Sequence, residues 1–363
     1  MAHEAQERYS NLVLAKVRKS LVLKDGVVFN NDYEGSPKAG AVKIPVRDTE
    51  VAVSDYDKAN GITAGTGNTA YETMPIDKDK AVNEIIDGYD AQSVPDNLVA
   101  DRLDSAGYSL AKQMDTDGGI VLIAGSTVKN ETSLTSENIY DKVVDLKTDM
   151  DKENIPNDGK RYLLVLPDTM ALILKDKDHF VKASDLGDAV VQTGAVGKIA
   201  GFLVIEWNDN TANLAMLAGH PRFATRAQEF SVPVHIQDLS GSGKYIGASA
   251  VQGRDVYAHK VLRSVAIRSV FAPGSLTVSA AAGSTTGKTV LTVVEATTGS
   301  FKYKVAPAVA AKVGDVYEGT ELTSGTTQIG VTAGQVIEVA DLDSNGKVVK
   351  VGYHTVAAAE IKK

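Results

Sequence analysis

The sequence predicts an α+β fold followed by a C-terminal all-β, sandwich-like domain. Three observations predict it. Between about residues 80 and 270, apolar residues recur in turn at helical and at strand spacing. One of the helical stretches is long and carries a single apolar stripe. At Phe271-Ala272-Pro273-Gly274 the texture changes, and the last ~90 residues hold short strand-like runs between turn signals with no helical period.

The elements follow in order. Glu4 to Val22 places Leu12, Val13, Val17 and Leu21 near helical spacing, with cations toward the end where they suit the helix dipole. This reads as a short amphipathic helix within an N-terminal arm (1–24) that needs a partner surface. Arg8, Lys16, Arg18, Lys19 and Lys24 against Glu4 and Glu7 make the arm locally basic, and the plain reading of that is a solvated helix face.

Residues 25–79 are polar and punctuated by glycine. Val42, Ile44 and Val46 alternate with Lys43, Pro45 and Arg47, a strand with Pro45 suited to an edge. A second extended run, Thr73 to Ile86, follows the glycine-rich tip Gly61–Thr69. This is an extended hairpin, and because an isolated hairpin is marginal in water it should lie on something else.

In the region 80–124, Leu98/Val99, Leu103, Ala106, Leu110 and Met114 form the stripe of a long spine helix. It is expected to weaken at Asp117-Gly118-Gly119, ahead of the apolar Ile120–Ala124. A second helix spans Ser136–Lys152, with Ile139, Val143, Leu146 and Met150 in register. Arg161–Leu166 is an apolar strand, and Pro167 and Asp168 open a third helix. Lys198–Trp207, Asn213–Leu217, Ser231–Ile236 and one long strand, Asp255–Val270, complete a region (125–270) that reads as one α+β domain with a mostly antiparallel sheet. In 271–363 the strand-like runs are TVLTVVEA, SFKYKVA, GQVIEVADL and KVVKVGYHTV. No cysteine pair or strand tryptophan there supports an antibody-type domain.

Composition bounds the function. At ~150 residues per domain, 363 residues make two or three domains. The absence of cysteine removes thiol nucleophiles, disulfide frameworks, zinc fingers and iron–sulfur clusters. A net charge of −8 argues against a chain whose main surface wraps nucleic acid. Residues 1–15 lack the apolar core of a signal peptide, and the longest apolar runs fall far short of the ~20 residues that span a bilayer. The chain is therefore expected to be made in the cytoplasm, with no membrane partner.

Three segments imitate known sites. Ala282–Thr289 (AGSTTGKT) matches a relaxed phosphate-loop pattern, but β-branched TVLTVVEA follows where a helix is needed, so a surface turn is expected. Asp341–Lys347 (DLDSNGK) begins like a calcium loop, yet the twelfth position is Gly352, and Asn345-Gly346 signals a hairpin. Gly194, Gly197 and Gly201 have the wrong spacing for a dinucleotide loop and are expected to serve a tight β-turn. The six histidines, His3, His179, His220, His235, His259 and His354, are scattered. No catalytic, cofactor-binding or metal residue is assigned, no cofactor is expected, and the chain is read as a non-enzyme.

The order of these elements resembles the major capsid proteins of tailed phages, which have the Hong Kong 97-type fold. Lys80–Asp115 is similar to that family's passage from hairpin into spine helix. Asn154–Leu174 (NIPNDGKRYLLVLPDTMALIL) resembles the turn, strand and helix of the axial domain, and Gly194–Asp209 resembles the glycine-rich turn and strand that follow. Gly253–Val270 is placed like the strand returning to the peripheral domain. Together these segments carry the likeness over roughly 1–270, through order and spacing. The resemblance implies a subunit that assembles with itself into hexamers and pentamers of a closed shell, with the hairpin lying over a neighbour. It also implies a virion location with assembly in the host bacterial cytoplasm, a separate scaffolding protein, a portal, and packaged DNA touched non-specifically from the inner face. The basic arm is the piece expected to face that DNA. Residues 271–363 resemble the immunoglobulin-like modules fused to some capsid proteins, which implies an outward decoration. No lysine–asparagine crosslink pair is assignable. The competing readings are another virion component, such as a tail tube or adhesin, and an encapsulin-type compartment shell.

Overall fold

The computed structural model describes residues 16, 18–33, 40–46, 51, 53–62, 70–93, 98–176, 197–305 and 310–363. Strands β1 (Ala41–Val46), β2 (Ala70–Pro75) and β3 (Lys78–Ile86) precede helices α1 (Gly88–Ser93) and α2 (Leu98–Gly125). Then come β4 (Thr127–Asn130), α3 (Ile139–Lys152), β5 (Tyr162–Val165) and α4 (Pro167–Lys175), followed by β6 (Lys198–Ile199), β7 (Phe202–Glu206) and β8 (Leu214–Gly219). After β9 (Ala224–Asp238), β10 (Ser249–Val261) and β11 (Arg268–Phe271), the chain is all-β: β12 (Gly274–Ser275), β13 (Val278–Ala282), β14 (Lys288–Val293) and β15 (Ser300–Val305). It ends with β16 (Thr320–Leu322), β17 (Gln328–Gly330), β18 (Val336–Leu342) and β19 (Val348–Thr355). These elements divide into two units, one formed by residues up to Gly125 with Pro221–Arg263, the other by Ser126–His220 with Ser264–Lys363.

The first unit is a three-stranded antiparallel sheet, β3-β10-β9, crossed by α2. Ile86, Ala106 and Val251 are buried at the crossing, with Val82, Leu98, Val99, Leu103 and Val234 packed around them. Gly253 lets the helix approach: a Cβ there would lie 2.8 Å from Val234 Cγ2 and 3.1 Å from Leu110 Cδ1. The stripe predicted for the spine helix is the face that packs here.

Three expectations are corrected in this unit. The spine helix does not weaken at Asp117-Gly118-Gly119 but runs unbroken to Gly125. A mid-helix glycine costs ~1 kcal/mol, and here tertiary packing offsets it, since the bare Cα of Gly118 makes room for the Phe29 ring and the His259 imidazole. The second extended run is two strands, broken at Ile76-Asp77, because β2 pairs with β1 while β3 pairs with β10. The N-terminal helix does not reach Val22: residues 18–24 are not helical. Val22 and Leu23 donate their N–H groups to Asp115 of α2 instead of to helical carbonyls. The remainder of that predicted helix, at 1–15 and 17, lies outside the described residues.

The second unit holds a six-stranded sheet in the order β4-β11-β8-β5-β7-β6. As predicted, Ile139, Val143, Leu146 and Met150 form the buried face of α3, β5 is buried throughout, and Pro167 opens α4. Helix α3 starts at Ile139, three residues later than Ser136. The sheet is mixed, with β4–β11 and β5–β7 parallel and the other pairs antiparallel. The long strand predicted over Asp255–Val270 is two strands separated by a 3₁₀ turn at Ser264–Ala266. The strands of 125–270 therefore do not share one sheet, because β9 and β10 pair with β3 and β11 pairs with β4 and β8. A strand-like pattern that runs on both sides of a short turn cannot reveal such a sheet change. The glycine turn behaves as expected, with Ala200 at φ +48° and Gly201 at φ +89° joining β6 to β7. Gly194 and the hairpin tip 63–69 lie outside the described residues.

Beyond Ala272 the strands form a sandwich of a five-stranded sheet, β12-β19-β18-β15-β16, and a three-stranded sheet, β13-β14-β17. Leu276, Leu291, Val293, Leu322, Ile329, Ile337, Val339 and Val356 fill the space between them. The four strand-like runs read from the sequence correspond to β14, β15, β18 and β19.

Candidate assembly surfaces

The segments that imitate ligand sites have their polar groups engaged elsewhere. In the turn between β13 and β14, Gly283 N–H donates to the Lys288 carbonyl (2.9 Å), Gly287 N–H to the Lys362 carbonyl (2.8 Å), and Ser284 N–H to Gln328 Oε1 (2.9 Å). No row of free amides remains to cradle a phosphate. Asp341 is buried and accepts from Thr297 Oγ1 (2.7 Å), Thr298 N (3.0 Å) and Thr298 Oγ1 (2.9 Å). Asp343 accepts from the N–H groups of Asn345 and Lys347, closing the β18–β19 hairpin with Gly346 at φ +73°. Among the described residues no group of three or more His, Asp or Glu could hold a metal. His220 pairs with Asp158 (3.0 Å) and His354 with Glu360 (2.9 Å), while His235 is exposed. His3 and His179 lie outside the described residues.

Two features of the first unit stand out. The first is a strap, residues 18–30, laid on α2, β9 and β10. Lys16, Arg18 and Lys19 pair with Asp101 (2.6 Å), Asp104 (2.5 Å) and Asp115 (3.1 Å) of α2. Asp115 Oδ1 also accepts the N–H groups of Val22 (3.2 Å) and Leu23 (3.0 Å). Leu23, Val28 and Phe29 are buried. Asn30 then donates to the carbonyls of Pro221 and Arg222 (both 3.0 Å), and Arg226 of β9 grips Asp25 (2.6 Å). Under the strap, Tyr257 donates to Asp117 Oδ2 (2.8 Å), and the His259 ring lies 4.9 Å from that of Phe29. Burial first, then the nearby Arg226 charge, pushes His259 down to about 4. Burial and the hydrogen bond to Asp117 push the Tyr257 phenol up.

Reading the sequence missed this strap and its buried acids. A signal was present: Asp117 lies seven residues beyond Leu110, on the apolar stripe of α2, where an acid must find a partner.

The second feature is the hairpin β1–β2. Its root packs on the chain's own sheet, with Ile44 and Met74 buried against Ala227 and Ala258, and Lys260 holding Glu72 (3.0 Å). Farther out, Val51 and Val53 are 91% and 98% exposed, and Tyr56 and Ile62 are exposed too. Between those two residues Asp57 closes a tight turn, accepting from Ala59 N (2.8 Å) and Asn60 Nδ2 (2.7 Å), with Gly61 at φ +68°. Those hydrogen bonds hold the Asp57 carboxyl below its usual range.

Residues 281–359 match the family model "S-layer protein SbsC C-terminal domain". No curated protein sequence matches the chain. Among solved structures, the chain resembles one described as "Mycobacterium phage Che8", with TM-score 0.63 and 21% identity, over 73% of this chain and 96% of that one. It resembles a second described as "Capsid structure of the Cyanophage P-SCSP1u", with TM-score 0.62 and 14% identity over 74% and 92%. A third, "Asymmetric unit of bacteriophage PhiM1 mature capsid", gives TM-score 0.53 and 13% identity over 72% and 92%. The chain has the α+β Hong Kong 97-type fold with a C-terminal all-β region.

Proposed function

We propose that this chain is a major capsid protein that assembles with itself into the icosahedral head of a tailed bacteriophage and encloses double-stranded DNA. The observation that carries the reading is the union of this fold with a hairpin whose outer segment holds Val51, Val53, Tyr56 and Ile62 in water. A lone subunit gains nothing from that exposure, whereas a neighbouring copy would cover those side chains. Two of the structures it resembles are described as capsids, which supports the same reading. Hexamers and pentamers of the chain would form the wall, built in the host bacterial cytoplasm with a separate scaffolding protein and a portal. Residues 271–363 would face outward as a decoration. The role is structural and not enzymatic.

DNA would touch the inner face without sequence preference, and the net charge of −8 suits a container that does not bind its contents tightly. Because Lys16, Arg18 and Lys19 pair with α2, contact from the arm would fall to its other cations. Electron microscopy of the protein co-expressed with its scaffold is expected to show closed shells of uniform wall. Monomers or small rings alone would overturn the proposal. Adjacent terminase and portal genes would separate a phage head from a compartment shell.

A further inference from the structure

We propose that the strap, residues 18–30, is held on α2 and β10 by a proton-sensitive latch whose titrating group is the His259 imidazole. The inference stands on the first unit alone and is independent of the shell reading.

The geometry is that of a pocket for a neutral ring. His259 projects from β10 beneath Phe29 of the strap, with ring centroids 4.9 Å apart, and meets the edge of Tyr257 at 5.4 Å. Gly118 of α2 closes the other side, where a Cβ would come within 3.3 Å of His259 Nε2. Both ring nitrogens are buried and neither has a hydrogen-bond partner. Buried polar atoms left unpaired are rare, since each costs free energy that a partner or water would restore. Here the ring is kept as a packing element, and a second proton would create a cation with no acceptor beside it.

The charged and titratable groups around the ring come from every neighbouring element. They are Asp25 from the strap, Asp77 from the β2–β3 link, Asp117 from α2, Arg226 from β9 and Tyr257 from β10 itself. The nearest acids are already engaged: Asp117 accepts from Tyr257 and from Gln113 (3.0 Å), and Asp25 from Arg226. Arg226 adds repulsion. The closed strap therefore holds His259 at about 4, against an ordinary 6.5. An open strap would return the ring to water and to its ordinary value.

The sign follows from linkage. Between about 6.5 and 4 the open form binds the proton and the closed form does not. The closed strap is fully favoured well above pH 6.5 and loses ground towards about tenfold per pH unit below it, by about 160-fold at pH 4 and approaching about 300-fold below that. The strap continues into the N-terminal arm on one side and toward the hairpin on the other.

Hydrogen exchange of the full chain tests this, read at the Leu23 and Asn30 amides and corrected for intrinsic rates. Between pH 6.5 and 5 the opening constant of the strap is expected to rise about 15-fold. His259→Phe and His259→Gln, which cannot titrate, should flatten that rise. An unchanged rise in either variant would assign the effect to the carboxylates Asp25, Asp115 and Asp117 and overturn the latch. Should both variants fail to fold, the His259 C2 proton resonance of the unaltered chain decides. A midpoint well below 6.5 that tracks the loss of strap protection supports the latch, and a midpoint at 6.5, or protection indifferent to it, overturns it.

Discussion

Replacing Asp115 tests the strap most directly. Its carboxylate is 4% exposed, accepts two backbone N–H groups from the strap and faces Lys19. Asp115→Ala removes all three interactions while leaving the strap's apolar residues intact. The Leu23 amide loses its acceptor in a buried setting and the Val22 amide in a half-buried one, at about 1–3 kcal/mol for a buried orphan and less for the other. The Lys19 side chain is 18% exposed, so water takes part of its charge and the lost pair adds at most ~1 kcal/mol. The expected cost is about 3–4 kcal/mol in all. Asp115→Asn keeps an acceptor oxygen for the amides and loses the charge, so it should cost only about 1–2 kcal/mol. Guanidinium unfolding of the full chain, followed by circular dichroism, measures both. Equal costs for the two variants, or an Ala variant within ~1 kcal/mol of the parent, would refute the reasoning.

Further outcomes follow from other parts of the molecule. Gly253→Ala should destabilise the first unit by about 1–3 kcal/mol in the same assay, because the new Cβ presses on Val234 and Leu110; pairing it with Leu110→Ala should give less than the sum of the two single costs. Residues 271–363 expressed alone should melt in one cooperative transition, since the sandwich carries its own core, and a disordered spectrum would reject that boundary. Deleting residues 60–69 should leave the melting of the subunit unchanged while lowering the yield or stability of shells; intact shells would argue against an intersubunit clasp.

The strap also shows where local reading of a sequence stops. The stripe of α2 and the face of α3 were legible because each depends on the period of one element against one apolar surface. Val22 and Leu23 have the same apolar character, yet their amides are claimed by an acid more than ninety residues away, and no period records that. The break between β10 and β11 was hidden for a similar reason. Both halves are strand-like, and a short 3₁₀ turn and different partners divide them.

The sequence by itself determined the fold class, the main helices, the hairpin turn chemistry and the exclusions that follow from having no cysteine. Those rest on properties carried by neighbouring residues: spacing, propensity and composition. Tertiary structure alone decided that α2 runs through its glycines, that the arm's cations meet α2, and that His259 is sealed beneath Phe29. Each of these compares groups far apart in the chain. Burial then raises the cost of an unpaired charge or amide well above any local preference.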